Sequence, residues 1–200
     1  MIRMVLASQN QKKLAELQEI LSGLDAEVVL LSDLGVHVEV EETGETFADN
    51  ALLKARAVME ATGLPAVADD SGLCVDAMQG GPGVYSARFG GGDLDDGGRC
   101  RLLLDCMKGQ LDRKCRFVSA VCCAFPNGDV VTAEGACEGI LAYASRGEGG
   151  FGYDPIFFVP PLKKTFAQLT PEEKNAVSHR GHALQKLKEE LENYLHGAHQ

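Results

Sequence analysis

Ala66-Val67-Ala68-Asp69-Asp70-Ser71-Gly72 runs three small apolar residues straight into two carboxylates, a hydroxyl and a glycine. Paired carboxylates after a buried strand suit two kinds of chemistry. They can ligate a hard cation such as Mg2+, with waters and phosphate oxygens completing its shell, and one of them can take a proton from an attacking water. A structural Asp-Ser-Gly turn has the same composition. The two aspartates are expected to leave the strand. Because neighbours on a strand point to opposite faces, their carboxylates separate unless the turn twists them together, so one supports the turn while the other faces a cleft.

Four further stretches carry groups that could act with them. Ser8-Gln9-Asn10-Gln11-Lys12-Lys13 puts a hydroxyl and an amide at a helix start, where free N–H groups and the positive end of the helix dipole favour an anion; an ordinary cap by Ser8 or Asn10 fits equally. Glu42 precedes a helix on which Asn50 and Lys54, four residues apart, share a face. The segment from Gly147 to Gly152 satisfies GxGxxG, but Tyr153-Asp154-Pro155 and an apolar run follow it. A dinucleotide fingerprint needs a strand before it and a helix after it, so a nicotinamide oxidoreductase is set aside. What remains is a pliant backbone with Phe151 and Tyr153 available to stack on a flat ring, or to fill a core. Last, Lys174, Ser178, His179 and Arg180 gather donors suited to a phosphate or to the oxo group of a base.

These groups need a scaffold. Ile2 to Ala7 reads as a strand, followed by a polar turn and a helix marked by Leu14, Leu17, Leu21 and Leu24. Glu27–Leu31 and Val36–Val40 read as further strands. A helix from Thr46 or Phe47 to Met59 closes at Gly63-Leu64-Pro65, and another spans Leu94–Met107. Phe117–Phe125 and Val130–Ala136 form a hairpin about Pro126-Asn127-Gly128-Asp129, with Cys137–Tyr143 extending the sheet. Ile156–Val159 is a last strand, and Leu184, Leu187, Leu191 and Leu195 line one face of a final helix. The pattern predicts a mixed α/β fold, an elongated sheet with flanking helices, in which two inseparable lobes of a single domain over residues 1–200 surround a central active-site cleft.

Composition limits the partners. A net charge of -10, from 19 basic against 29 acidic residues, repels polyanions and acidic membrane surfaces, so no nucleic acid or membrane partner is expected and any phosphate ligand must be small. Seven cysteines, an odd number without a CxxC pair and mostly within apolar runs, read as reduced thiols and a cytoplasmic location. No stretch approaches the roughly 20 apolar residues that cross a bilayer.

Six motifs then occur in order: Ser8-x-Asn10-x-x-Lys13; Glu42-Thr43-Gly44 with Asn50 and Lys54; Asp69-Asp70-Ser71-Gly72-Leu73; Gly81-x-Gly83-x-Tyr85-Ser86-Ala87-Arg88; Gly150-Phe151-Gly152-Tyr153-Asp154-Pro155; and Lys174-x-x-x-Ser178-His179-Arg180. In these the chain resembles the inosine/xanthosine triphosphate pyrophosphatases, the RdgB/Ham-type house-cleaning enzymes, from about residue 2 to about residue 195. The resemblance implies an ITPase-like fold, a homodimer, and Mg2+-dependent hydrolysis of noncanonical purine nucleoside triphosphates (ITP, dITP, XTP) to monophosphate and pyrophosphate. It also implies roles: Ser8, Asn10, Lys13 and Lys54 on the phosphates, Glu42 and Asp70 on the metal with Asp70 accepting the proton from water, and Ser71 touching substrate. Phe151, Gly152, Tyr153 and Asp154 would frame base and sugar, with Lys174, His179 and Arg180 completing the base pocket. The alternative is a nucleotide-binding regulator that does not hydrolyse. Gly90–Gly98, rich in Gly and Asp, departs from the family pattern and is expected to touch no motif.

Overall fold

The structure, a computed structural model, describes residues 2–197. Its regular elements are β1 (Ile2–Leu6), α1 (Gln11–Ile20), β2 (Ala26–Leu30), α2 (Phe47–Thr62), β3 (Ala66–Val75), α3 (Asp96–Cys106), β4 (Lys114–Ala124), β5 (Val130–Leu141), β6 (Phe157–Val159), β7 (Lys164–Thr165), α4 (Pro171–Val177) and α5 (His179–Gly197). Hydrogen bonding orders the strands β2-β1-β3-β4-β5-β6-β7 in one sheet. β1 pairs in parallel with β2 and β3, whereas β6 pairs antiparallel with β5 and β7, so the sheet is mixed. A crossover through α1 joins the parallel pair β1 and β2, whereas a loop over residues 142–156 joins the antiparallel pair β5 and β6.

The chain gathers into two compact units. One holds the residues up to Asp70 with Ser119–Gly135 and the chain from His182 onward; the other holds Ser71–Val118 and Ala136–Gly181. In the first, Met4, Leu6, Val28 and Leu30 meet Leu17 of α1 and the stripe Leu184, Leu187 and Leu191 of α5. That stripe recurs every three to four residues because one helix face is buried. A second cluster there joins Val5, Val29 and Ala66 to Val58 of α2. The second unit packs Leu73 and Val75 with Leu103 of α3, with Met107 just past its end, and with Phe117, Phe157 and Phe166.

Helix ends are set by local chemistry. Asn10 caps α1 by accepting from the Lys12 and Lys13 N–H groups at 2.9 and 3.3 Å. Thr46 and Asp49 form a reciprocal capping box on α2, with both bonds at 3.1 Å, and Gly63 ends that helix at φ 68°.

Two expectations are overturned. Val36–Val40 forms no strand: Val36 and Val38 pack on the cluster around Val5 and Val29 while His37 and Glu39 face solvent, so the alternation reflects one-sided packing of an extended segment without a ladder. The turn expected after Ala68 is also absent, because β3 continues through Asp69, Asp70, Ser71 and Gly72 to Val75. The glycine-rich Gly147–Gly152 leads into a short 3-10 turn at Asp154–Ile156 and then β6. No helix among the described residues is long and apolar enough to cross a membrane.

Candidate active site

In the first unit the strand period separates the two aspartates. Asp69, buried, accepts from the Lys13 ammonium with both carboxylate oxygens at 2.9 Å. Asp70 turns to α2: its Oδ1 accepts from Lys54 Nζ at 3.2 Å and its Oδ2 from Asn50 Nδ2 at 3.2 Å. Lys54 Nζ also donates to Glu42 Oε1 at 2.7 Å. Asn50, fully buried, is the frame of this cluster, since its Oδ1 accepts from the Gly44 N–H at 2.8 Å while its amide donates to Asp70. Asn50 and Lys54 reach one point because they lie four apart on α2. Gly44 must be glycine there, as a Cβ would lie 2.7 Å from Asn50 Oδ1.

The electrostatics follow the packing. Burial pushes the Asp70 carboxyl above its ordinary range, the Glu42 charge adds to this, and Lys54 opposes it. Lys54 is held above the ordinary lysine value: burial works against its charge, but bonding to Glu42 and Asp70 outweighs that. A carboxylate held high is a better proton acceptor. Glu42 and Asp70 converge on a single cation, and both supply oxygen, which is the donor set Mg2+ takes. Among the described residues no three His, Cys, Asp or Glu side chains are grouped to hold a metal.

Ser8 and Asn10 are engaged locally: Ser8 Oγ accepts from the Asn10 N–H at 3.1 Å, and Asn10 Oδ1 is taken up by the first turn of α1. Lys13 is the member of that motif that reaches Asp69.

The second unit contains a pocket of about 210 Å³ whose walls include Ser71, Arg99, Phe117, Phe151, Gly152 and His179. The His179 ring stacks on Phe117 with centroids 4.8 Å apart and planes 15° apart. Phe151, at 74% exposure, offers an open face, and Lys174 Nζ lies 4.5 Å from its ring centre. Asp154, buried, braces this arrangement: it accepts from the Phe151 N–H at 2.9 Å and from Lys174 Nζ at 2.5 Å. Burial raises its carboxyl, against the pull of Lys174.

Tyr153 does not stand beside Phe151 as a second open platform. It is buried, and its hydroxyl donates to the Ser86 carbonyl at 2.8 Å, with burial pushing its phenol up to about 12. Its ring contributes wall rather than an open face. Arg180 is half-buried in the first turn of α5, outside the residues lining the pocket.

Gly90–Gly98 does touch a motif. Asp95 caps α3, and Asp96 Oδ2 accepts from the Gly152 N–H at 2.7 Å, while the Cys100 thiol, one turn on, donates to the Gly152 carbonyl at 3.3 Å. One helical turn therefore holds both the N–H and the carbonyl of Gly152. Asp96, Arg99 and Phe117 are the pocket residues that sequence reasoning missed; nothing in their spacing marks them, because they meet the Phe151 loop only through the fold. Ser86 lay within a quoted motif, and its buried hydroxyl accepts from the Leu73 N–H at 2.9 Å.

The sequence pattern of one family, described as the Ham1 family, matches residues 4–190. The chain belongs to the Ham1 family. Among Ham1 relatives, a protein of Desulforamulus reducens named dITP/XTP pyrophosphatase is 50% identical over 198 residues, covering 98% of both chains. One of Thermus thermophilus with the same name is 50% identical over 198 residues, covering 98% of this chain and 93% of its own. Solved Ham1 structures also match: a HAM1 protein of Coxiella burnetii has a TM-score of 0.92 at 43% identity, covering 96% of this chain and all of that one. The Staphylococcus aureus Ham1 protein has a TM-score of 0.90 at 41% identity, covering 96% of this chain and 99% of its own.

Proposed function

We propose that this Ham1 protein hydrolyses deaminated purine nucleoside triphosphates (ITP, dITP, XTP) at the α–β phosphoanhydride, releasing nucleoside monophosphate and pyrophosphate. The observation that carries the reading is the convergence of Glu42 and Asp70 on Lys54, with Asn50 fixing Asp70. It is supported by the names of relatives half identical over nearly the whole chain.

In this reading Lys54 and Lys13 exchange carboxylate partners for phosphate oxygens, with the Ser8–Lys13 turn beside them. Their charge offsets the negative charge that grows on the bridging and equatorial oxygens during attack. Glu42 and Asp70 hold Mg2+, which when bound supplies Lewis acidity at the phosphate oxygens. Asp70 accepts the proton of the attacking water, and its raised affinity for protons favours that transfer. Asn50 keeps the receiving carboxylate in place.

The base enters the aromatic pocket of the second unit, against Phe151 and His179, with Ser71, the residue after Asp70 on β3, at its wall. Lys174 supports the Phe151 platform and Arg180 supplies a further donor from α5. Hypoxanthine and xanthine present an oxygen at position 6 where adenine presents an amino group, so donors aimed there leave adenine's partners unpaired. By resemblance, the working form is a cytoplasmic homodimer.

The test is pyrophosphate release from dITP, XTP, dATP and dGTP, each with Mg2+ and with excess EDTA. Selective, Mg2+-dependent release from dITP and XTP is expected. Recovery of intact dITP would make the protein a nucleotide binder without hydrolysis.

A further inference from the structure

Arg99, in the second turn of α3, lines the base pocket with its side chain only 14% exposed. Among the described residues its side chain makes one hydrogen bond, a long one of 3.4 Å from Nη1 to Asp96 Oδ1, and its Nε is buried with no partner. A guanidinium carries five N–H donors, and withdrawing it from water without acceptors is costly. A largely buried cation left so under-bonded, with its Nε buried and unpartnered, beside a pocket of aromatic rings points to an acceptor brought by the ligand.

We propose that Arg99 determines specificity at purine position 2, donating to the 2-oxo group of xanthine and rejecting the 2-amino group of guanine. The inference rests on the nucleotide reading given above and deepens it. Guanine shares the position-6 oxygen with hypoxanthine and xanthine, so donors at that position cannot exclude it. Position 2 is where the three bases differ: hypoxanthine has C–H, xanthine an acceptor, guanine a donor. A guanidinium matches the acceptor, tolerates C–H, and sets donor against donor with the amino group.

The carboxylate beside it does not reverse this preference. Asp96 could accept from a 2-amino group, but its Oδ2 is committed to the Gly152 N–H at 2.7 Å and its Oδ1 faces Arg99. The polar wall on this side of the pocket therefore presents donors.

The experiment measures kcat/KM for ITP, XTP and GTP on the wild type, Arg99→Ala and Arg99→Gln. Ratios between substrates in one preparation are independent of the folded fraction, and the glutamine variant carries the test should the alanine variant not fold. The XTP-to-ITP ratio should fall about tenfold in Arg99→Ala, the loss expected for one charge-assisted hydrogen bond. The GTP-to-ITP ratio should rise in both variants, most in Arg99→Gln, whose amide oxygen can accept from the 2-amino group. Ratios unchanged, or all three substrates reduced by one common factor, would overturn the assignment while leaving the pyrophosphatase reading intact. A wild type that hydrolyses none of the three would remove both.

Discussion

At the scale of single residues, two adjacent aspartates have been given different work by a strand period of two. Asp69 is spent on Lys13, and Asp70 meets Lys54 and Asn50. Asp70 carries an upward shift, from burial and the Glu42 charge, which is why the proton is assigned to it. Replacing it by Asn keeps the shape and the Asn50 contact region but removes the charge and the proton-accepting oxygen. Asp70→Asn should lower kcat on dITP by ~10²-fold or more while the circular dichroism spectrum is preserved. Turnover within a few-fold of wild type would move the base elsewhere. That the carboxylates diverge was legible from the sequence, because strand geometry demands it. That Asp69 would bind Lys13 was not, since the partners are 56 residues apart.

At the scale of elements, the site depends on how two helices and one loop are pinned. α2 presents Asn50 and Lys54 on one face, starting from a capping box visible in the sequence as Thr46-x-x-Asp49. The Phe151 loop is pinned from two directions, by Asp154 and by the Asp96–Cys100 turn of α3. Gly150 makes the first of these possible: it sits at φ 77°, and a Cβ there would collide with the Asp154 carboxylate. Gly150→Ala should cost about 1–3 kcal/mol of stability through backbone strain and steric conflict, read as a lower urea midpoint. By detaching Phe151 from its brace it should also raise KM for dITP more than it lowers kcat. An unchanged midpoint and KM would show that the brace is dispensable.

The legibility of these elements has a pattern. Regions whose burial is one-sided and regular, such as α2 and α5, declare themselves by period, whereas the β4–β5 hairpin is marked by its Pro126-Asn127-Gly128-Asp129 turn. Val36–Val40 has the period of a strand but no ladder partner, which sequence cannot reveal. Asp69–Gly72 has the composition of a turn, yet β3 runs on through it, because pairing within the sheet overrides the local preference of Asp, Ser and Gly. The grip of α3 on Gly152 joins residues 96 and 152, and such a contact exists only after folding.

At the scale of the whole molecule, each unit carries its own core, and most of the thiols serve as packing atoms. All seven cysteines are free, five of them buried, with Cys106 exposed. Burial pushes Cys100, Cys122 and Cys137 up to about 11 and Cys115 up to about 12, from an ordinary value of 9.0. The sign of the consequence is fixed. Between pH 9 and 11 the folded protein keeps protons that the unfolded chain releases, so stability is at its full value below pH 9 and falls as pH rises toward 11–12. The urea midpoint should therefore drop between pH 8.5 and 10.5, and iodoacetamide at pH 8 should label Cys106 well before the buried thiols. A flat midpoint, with uniform labelling of all seven, would contradict this account of the cores.

The central claim is that this Ham1 protein is a pyrophosphatase for deaminated purines, and product analysis of dITP beside dGTP under Mg2+ tests it most directly. The account predicts equal amounts of dIMP and pyrophosphate from dITP, no orthophosphate as the primary product, and dGTP left largely intact. Intact dITP, orthophosphate released in place of pyrophosphate, or equal turnover of dGTP would contradict it.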